Sequence, residues 1–149
     1  MTSKDQVEIL LVEDDPDDLE LTMHALNAEH VCNRIRVARD GEEALDLLFH
    51  RGAYEAELNW RPAIVFLDLK LPKVDGLEVL EQIKRDPDLR AVPVVILTSS
   101  KQEQDLLRGY RLGANSYIQK PVDFEQFRST IKDLGYYWLV VNQKLPTIA

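Results

Sequence analysis

Ile9-Leu10-Leu11-Val12-Glu13-Asp14-Asp15-Pro16 decides the fold of this chain. Four aliphatic residues give way at once to three acids and a proline. A run that short and that apolar reads as a strand buried on both faces, because a strand with one wet face alternates. Asp15 before Pro16 marks a helix start. The carboxylate can cap the free N–H groups, and proline suits the first helical position. The segment is thus a buried strand, a turn loaded with carboxylates and the opening of a helix.

Working outward, the same unit recurs. Strand-like runs are Val7–Val12, Ile35–Ala38, Ala63–Leu67, Val94–Leu97 and Ser116–Ile118. Helical spacing separates them, in Leu19, Met23 and Leu26, in Ala44, Leu47 and Leu48, in Leu77, Leu80 and Ile83, and in Leu106, Leu107 and Tyr110. Asp75-Gly76 opens the third helix and Asp86-Pro87 closes it. Asp123 can cap the last helix, with Gln126 at the reciprocal position. Strands this apolar, alternating with helices, predict an α/β fold. It is a doubly wound (βα)5 domain of flavodoxin-like kind, with a five-stranded parallel sheet. Arg51 to Pro62, holding Tyr54 and Trp60, reads as a long loop before the third strand.

The 149 residues, 45% of them hydrophobic, suffice for one domain with a real core. Residues 1–149 read as that domain, with a core at about 6–135 and a C-terminal extension at about 136–149. The net charge of −8 argues against a nucleic-acid partner, which needs a basic footprint. Cys32 is the single cysteine, so an internal disulfide is excluded and a core thiol is expected. Residues 1–6 lead into no apolar leader segment, and the longest apolar runs are strand-sized. A soluble, cytoplasmic protein with no membrane partner is expected.

The chemistry gathers where strands end. Glu13 and Asp14 follow the first strand and Asp68 follows the third. In an open parallel sheet these carboxyl ends meet in one crevice at the topological switch point. Crowded carboxylates oppose one another's ionisation, and a hard divalent cation with oxygen ligands relieves this. Mg²⁺ suits few carboxylates and several waters, with Mn²⁺ as the alternative. Thr98-Ser99-Ser100 ends the fourth strand and Lys120-Pro121 follows the fifth. Glu13, Asp14 and Asp68 bring about −3, and Mg²⁺ with Lys120 about +3, so the site is balanced. His24, His30 and His50 lack partners at metal-ligand spacing and read as surface residues, not phosphodonors.

Four segments in order resemble the receiver domains of two-component response regulators. They are Ile9 to Pro16, Phe66 to Gly76, Pro93 to Ser99, and Gly113 to Pro121. The resemblance spans about residues 6–135 and implies a phosphoacceptor that catalyses only its own phosphorylation and dephosphorylation. It implies that Asp68 accepts the phosphoryl group and that Asp14, Asp68 and the Lys70 backbone carbonyl bind Mg²⁺. Glu13 would act partly through water, Thr98 would receive a phosphoryl oxygen, and Lys120 would pair with the group. Tyr117 would be the switch aromatic, its alternative being a packed edge residue, and Lys120-Pro121 would be cis. Lys70 is unusual beside the acceptor, which leaves the phosphoryl lifetime open. With the long loop and the tail Tyr137 to Val141, the chain is similar to the regulators that partner phytochrome histidine kinases.

Two rival readings carry less. An aspartyl phosphatase wants a second acid two residues after its nucleophile, where Lys70 stands. A flavin site wants a phosphate loop where the acids stand. A degenerate receiver that only binds is the nearer rival, although each expected site residue is present. At the C-terminus, Phe124, Phe127, Ile131, Leu134, Trp138, Val141 and Leu145 form one stripe on a long helix, with Gly135 weakening it. Tyr137, Leu139 and Val140 lie off the stripe, so the end is apolar nearly all round. A homodimer through the last helices and the tail is expected, at Phe127, Ile131, Tyr137, Trp138 and Val141.

Overall fold

The computed structural model describes residues 8–27, 34–57, 60–98 and 103–134. Five strands, β1 (Glu8–Val12), β2 (Arg34–Ala38), β3 (Ile64–Asp68), β4 (Val94–Thr98) and β5 (Ser116–Gln119), alternate with five helices. The helices are α1 (Pro16–Asn27), α2 (Gly41–Phe49), α3 (Gly76–Arg85), α4 (Glu103–Leu112) and α5 (Phe124–Asp133). Every strand pair is parallel, in the order β2-β1-β3-β4-β5. The doubly wound α/β sheet is the architecture expected from the strand and helix periods.

Alternation along each strand divides the core in two. Leu10, Val12, Val65, Leu67, Val94 and Ile96 face α2 and α3, meeting Leu47, Leu48, Val79, Leu80 and Ile83. Ile9, Leu11, Ile64, Phe66, Val95 and Leu97 point the other way, toward α1 and α5. Each buried aliphatic side chain of this kind contributes roughly 1.5–3 kcal/mol, which is why uninterrupted apolar strands are stable only in a doubly covered sheet.

The helix starts follow their capping residues. Asp15 Oδ1 accepts from the N–H groups of Asp17 (2.8 Å) and Asp18 (3.2 Å). Asp75 accepts from Glu78 N–H and Asp123 from Gln126 N–H. The Gln126 side chain, however, does not return to the cap backbone. Its oxygen accepts from Gln119 N–H at 3.2 Å and its amide donates to Pro121 O at 3.2 Å, so it ties α5 to the end of β5. The described part of the long loop is structured. It holds a 3₁₀ turn at Gly52–Tyr54, and the Arg36 guanidinium lies over both Tyr54 and Trp60. The Trp60 indole N–H donates to Glu8 at 2.8 Å, clamping the loop beside β1 and β2.

Two of the residues expected at a homodimer interface, Phe127 and Ile131, lie on the last described helix. Phe127 and Ile131 are buried within the chain, with Phe127 against Phe66 at a ring separation of 5.3 Å. The stripe of α5 packs on its own sheet, which uses these two side chains before any partner arrives. Tyr137, Trp138 and Val141 lie outside the described residues, as do Gly135, His30 and Cys32.

Candidate functional site

The order β2-β1-β3 places the switch point between β1 and β3, because the chain leaves β1 toward one edge and returns past it to β3. Glu13 continues the β1 ladder, its N–H donating to Ala38 O at 2.9 Å. That bond fixes the backbone from which Glu13 and Asp14 project. Asp68 is the last residue of β3, paired in register with Leu97. Behind it, Gly76 N–H donates to Leu69 O at 2.9 Å. A Cβ on Gly76 would run into the Asp68 carbonyl oxygen, so only glycine lets α3 begin this close to the strand end.

One oxygen each from Glu13, Asp14 and Asp68 lie within 4.8 Å of one another. Glu13 is fully buried, Asp68 is nearly so, and Asp14 is exposed at the mouth. Lys120 reaches across from the end of β5, just before a cis Lys120-Pro121 bond, and its side chain is almost wholly buried. Its ammonium is 2.8 Å from Glu13 Oε1, 3.1 Å from Asp68 Oδ2 and 3.1 Å from Asp18 Oδ2. Lys70 N–H donates to Asp68 Oδ1 at 3.3 Å. Asp68 is thereby aimed by a backbone donor on one side and a cation on the other.

Burial pushes the Glu13 carboxyl up to about 7, and the charge of Asp68 adds to this while Lys120 draws it back. For Lys120, burial favours the neutral amine, but contact with Glu13 and the fields of Asp68 and Glu13 outweigh it and hold the ammonium charged. Glu13 Oε1 is buried and makes no aligned hydrogen bond, although Lys120 is close enough to pair with it. A buried carboxylate oxygen in that condition, beside two further carboxylates, fits a hard cation. Mg²⁺ or Mn²⁺ would be held by Glu13, Asp14 and Asp68.

Most of the expected residues converge. Thr98 ends β4 opposite Gln119 in β5, at the same edge of the sheet, and its hydroxyl lies outside the described side chains. Lys70 lines an open groove of about 620 Å³ with Asp14, Pro72, Asp75, Leu77 and Arg108. Tyr117 does not enter the site. It is 43% exposed, with its ring edge-on to Tyr110 at 6.4 Å. Neither His24 nor His50 belongs to the acidic cluster. The sequence reading missed Asp18, whose place in an acidic first turn is fully explained by the helix dipole. It also took Gly76 for a cap neighbour, since nothing local reveals which backbone a glycine will face.

An open parallel sheet with this acid trio and lysine at its carboxyl edge defines a phosphoacceptor class of signalling domain. Residues 9–132 match the response regulator receiver domain, and the chain belongs to that family. A solved structure of the bacteriophytochrome response regulator AtBRR is 55% identical, covers 92% of this chain and 98% of its own, and superposes with a TM-score of 0.82. The probable methanogenesis regulatory protein FilR2 of Methanothrix harundinacea is 44% identical over 96% of this chain and 90% of its own. Response regulator Rcp1 of Synechocystis sp. is 38% identical over 88% of each chain. The Mn²⁺-bound form of response regulator Rcp1 is 36% identical, covers 96% of this chain and 97% of its own, and has a TM-score of 0.74. Among the described residues, no helix is long and apolar enough to cross a membrane.

Proposed function

We propose that this chain is a phosphoacceptor response regulator that takes a phosphoryl group on Asp68 from a partner histidine kinase and signals by changing what it binds. The observation that carries this reading is Asp68 itself. It is buried at a strand end, 3.1 Å from Lys120 and within 4.8 Å of two further carboxylates. The Asp68 oxygen would attack phosphorus as the P–N bond of a phosphohistidine breaks, the bond electrons staying on the imidazole nitrogen. Lys120 would neutralise one phosphoryl oxygen, and the Thr98 hydroxyl would donate to another. When bound, Mg²⁺ would supply charge neutralisation for the transferring phosphoryl group. Asp14, Asp68 and the Lys70 backbone carbonyl would hold it directly, and Glu13 partly through water.

The chain is not a conventional enzyme on this reading, since its chemistry is confined to its own phosphorylation and dephosphorylation. The kinase is proposed to be of the phytochrome type and the compartment the cytoplasm. The 55% identity to a bacteriophytochrome regulator favours that kinase over the role named for FilR2. Phosphorylation would bias Thr98 and Tyr117 toward an inward arrangement and so alter the face around Tyr117 and α5. Self-association through the last helices and the tail is proposed, with Tyr137, Trp138 and Val141 as the contact residues, since Phe127 and Ile131 are buried within the chain. A monomer mass that is independent of concentration in light scattering would refute it.

The test of the chemistry is acetyl phosphate with and without Mg²⁺, applied to the wild type and Asp68→Asn and read by intact mass. A Mg²⁺-dependent phosphoryl adduct in the wild type alone supports the proposal. No adduct with acetyl phosphate or with phosphorylated kinase would favour a receiver that only binds.

A further inference from the structure

Lys120 meets three carboxylates, and one of them, Asp18, belongs to none of the segments that define the site. We propose that Asp18 is a positioning residue for phosphoryl acceptance: it anchors Lys120 from α1, competes with the incoming phosphoryl oxygen, and so restrains accumulation of the phosphorylated form. The inference rests on the reading of Asp68 as phosphoacceptor.

The local structure explains why Asp18 is free to do this. It is the third residue of α1, a position from which an acidic side chain ordinarily folds back to the cap residue's N–H. Here the Asp15 N–H already donates to Glu13 Oε2 at 3.2 Å. The Asp18 carboxylate instead accepts from Lys120, 102 residues away in sequence, at 3.1 Å.

An ammonium has three N–H donors, and three carboxylates surround this one. Its hydrogen bonds go to Asp18 and Asp68, while Glu13 pairs with it by charge alone, so a phosphoryl oxygen that reaches Lys120 enters a shell of three carboxylates and competes with them for the ammonium. The Asp18 side chain is 30% exposed, against 0% for Glu13 and 8% for Asp68, so it is the least costly to return to water. Charge points the same way. With Asp18 included, four carboxylates bring about −4, while Mg²⁺ and Lys120 bring about +3. Phosphorylation replaces a carboxylate charge by roughly −2 and deepens the excess.

The test is isothermal titration calorimetry on the whole chain, for wild type, Asp18→Asn, Asp18→Glu and Asp68→Asn. Mg²⁺ alone is titrated first, and then beryllofluoride, a phosphoryl mimic that the Asp68 oxygen coordinates, is titrated into the Mg²⁺-saturated protein. Asp18→Asn is expected to bind beryllofluoride on the order of fivefold more tightly and Mg²⁺ about twofold more weakly, with screening at the exposed carboxylate setting the size. Asp18→Glu should stay near wild type in both. Movement in opposite directions follows from charge, whereas loss of a merely structural contact weakens both ligands together. Parallel weakening, or affinities in Asp18→Asn equal to wild type, would overturn the proposal. A wild type that takes no beryllofluoride would overturn both it and the phosphoacceptor reading. A wild-type adduct that is lost in Asp68→Asn supports that reading and leaves the Asp18 result to stand by itself.

Discussion

Glu13→Gln should stabilise the metal-free protein, and the gain should depend on pH in a defined sense. Glu13 is fully buried, and its folded-state acidity is held up to about 7 against an ordinary 4.5, first by burial and then by Asp68. A carboxyl with a raised folded pKa contributes stability that is complete below its unfolded value and is lost as pH rises through the folded one. The window is therefore about pH 4.5 to 7. Above it, ionising Glu13 in the folded state costs up to about 3 kcal/mol, which relaxation around the site lowers to about 1–3 kcal/mol. Glutamine keeps the shape and never ionises. Lys120 stays protonated across this window, so it takes up or releases no proton of its own there. Urea unfolding in EDTA should show the variant near wild type at pH 4.5 and more stable by about 1–3 kcal/mol at pH 8. Saturating Mg²⁺ should narrow the gap by favouring the ionised wild type. A variant less stable than wild type at pH 8, or a gap that ignores pH, would refute the reasoning.

Three further outcomes follow from the same geometry. Mg²⁺ affinity should fall as pH drops below about 7, because Glu13 must release its proton to serve the cation, and calorimetry in buffers of different ionisation enthalpy should detect that proton. Gly76→Ala forces a Cβ onto the Asp68 carbonyl oxygen. It should cost about 1–3 kcal/mol in denaturant unfolding and slow phosphorylation by acetyl phosphate, since the acceptor backbone must move. Trp60→Phe removes the 2.8 Å bond to Glu8 and weakens the stacking on Arg36, yet lies away from the acids. It should cost about 1–2 kcal/mol by circular-dichroism melts and leave phosphorylation unchanged.

The sheet was legible in the residues because the central strands β1, β3 and β4 are apolar on both faces and the starts of α1, α3 and α5 carry their own capping acids. Asp15, Asp75 and Asp123 act over two or three residues, a range that sequence order preserves. The acids of the site were legible for a related reason, since parallel strands bring all their carboxyl ends to one edge whatever the rest of the chain does. The partners of Lys120 were not. Asp18 meets it across 102 residues, while the Asp15 N–H bonds Glu13 instead. Nor could the stripe on α5 say whether it faced the sheet or another molecule. Helical spacing shows that a face is apolar, not what covers it, and Phe66 across the core claimed Phe127. Local pattern therefore determined the elements and the residue types at the reactive edge. The fold in three dimensions decided which charges touch and which apolar faces remain, because contact between distant segments is settled only when the whole sheet is covered.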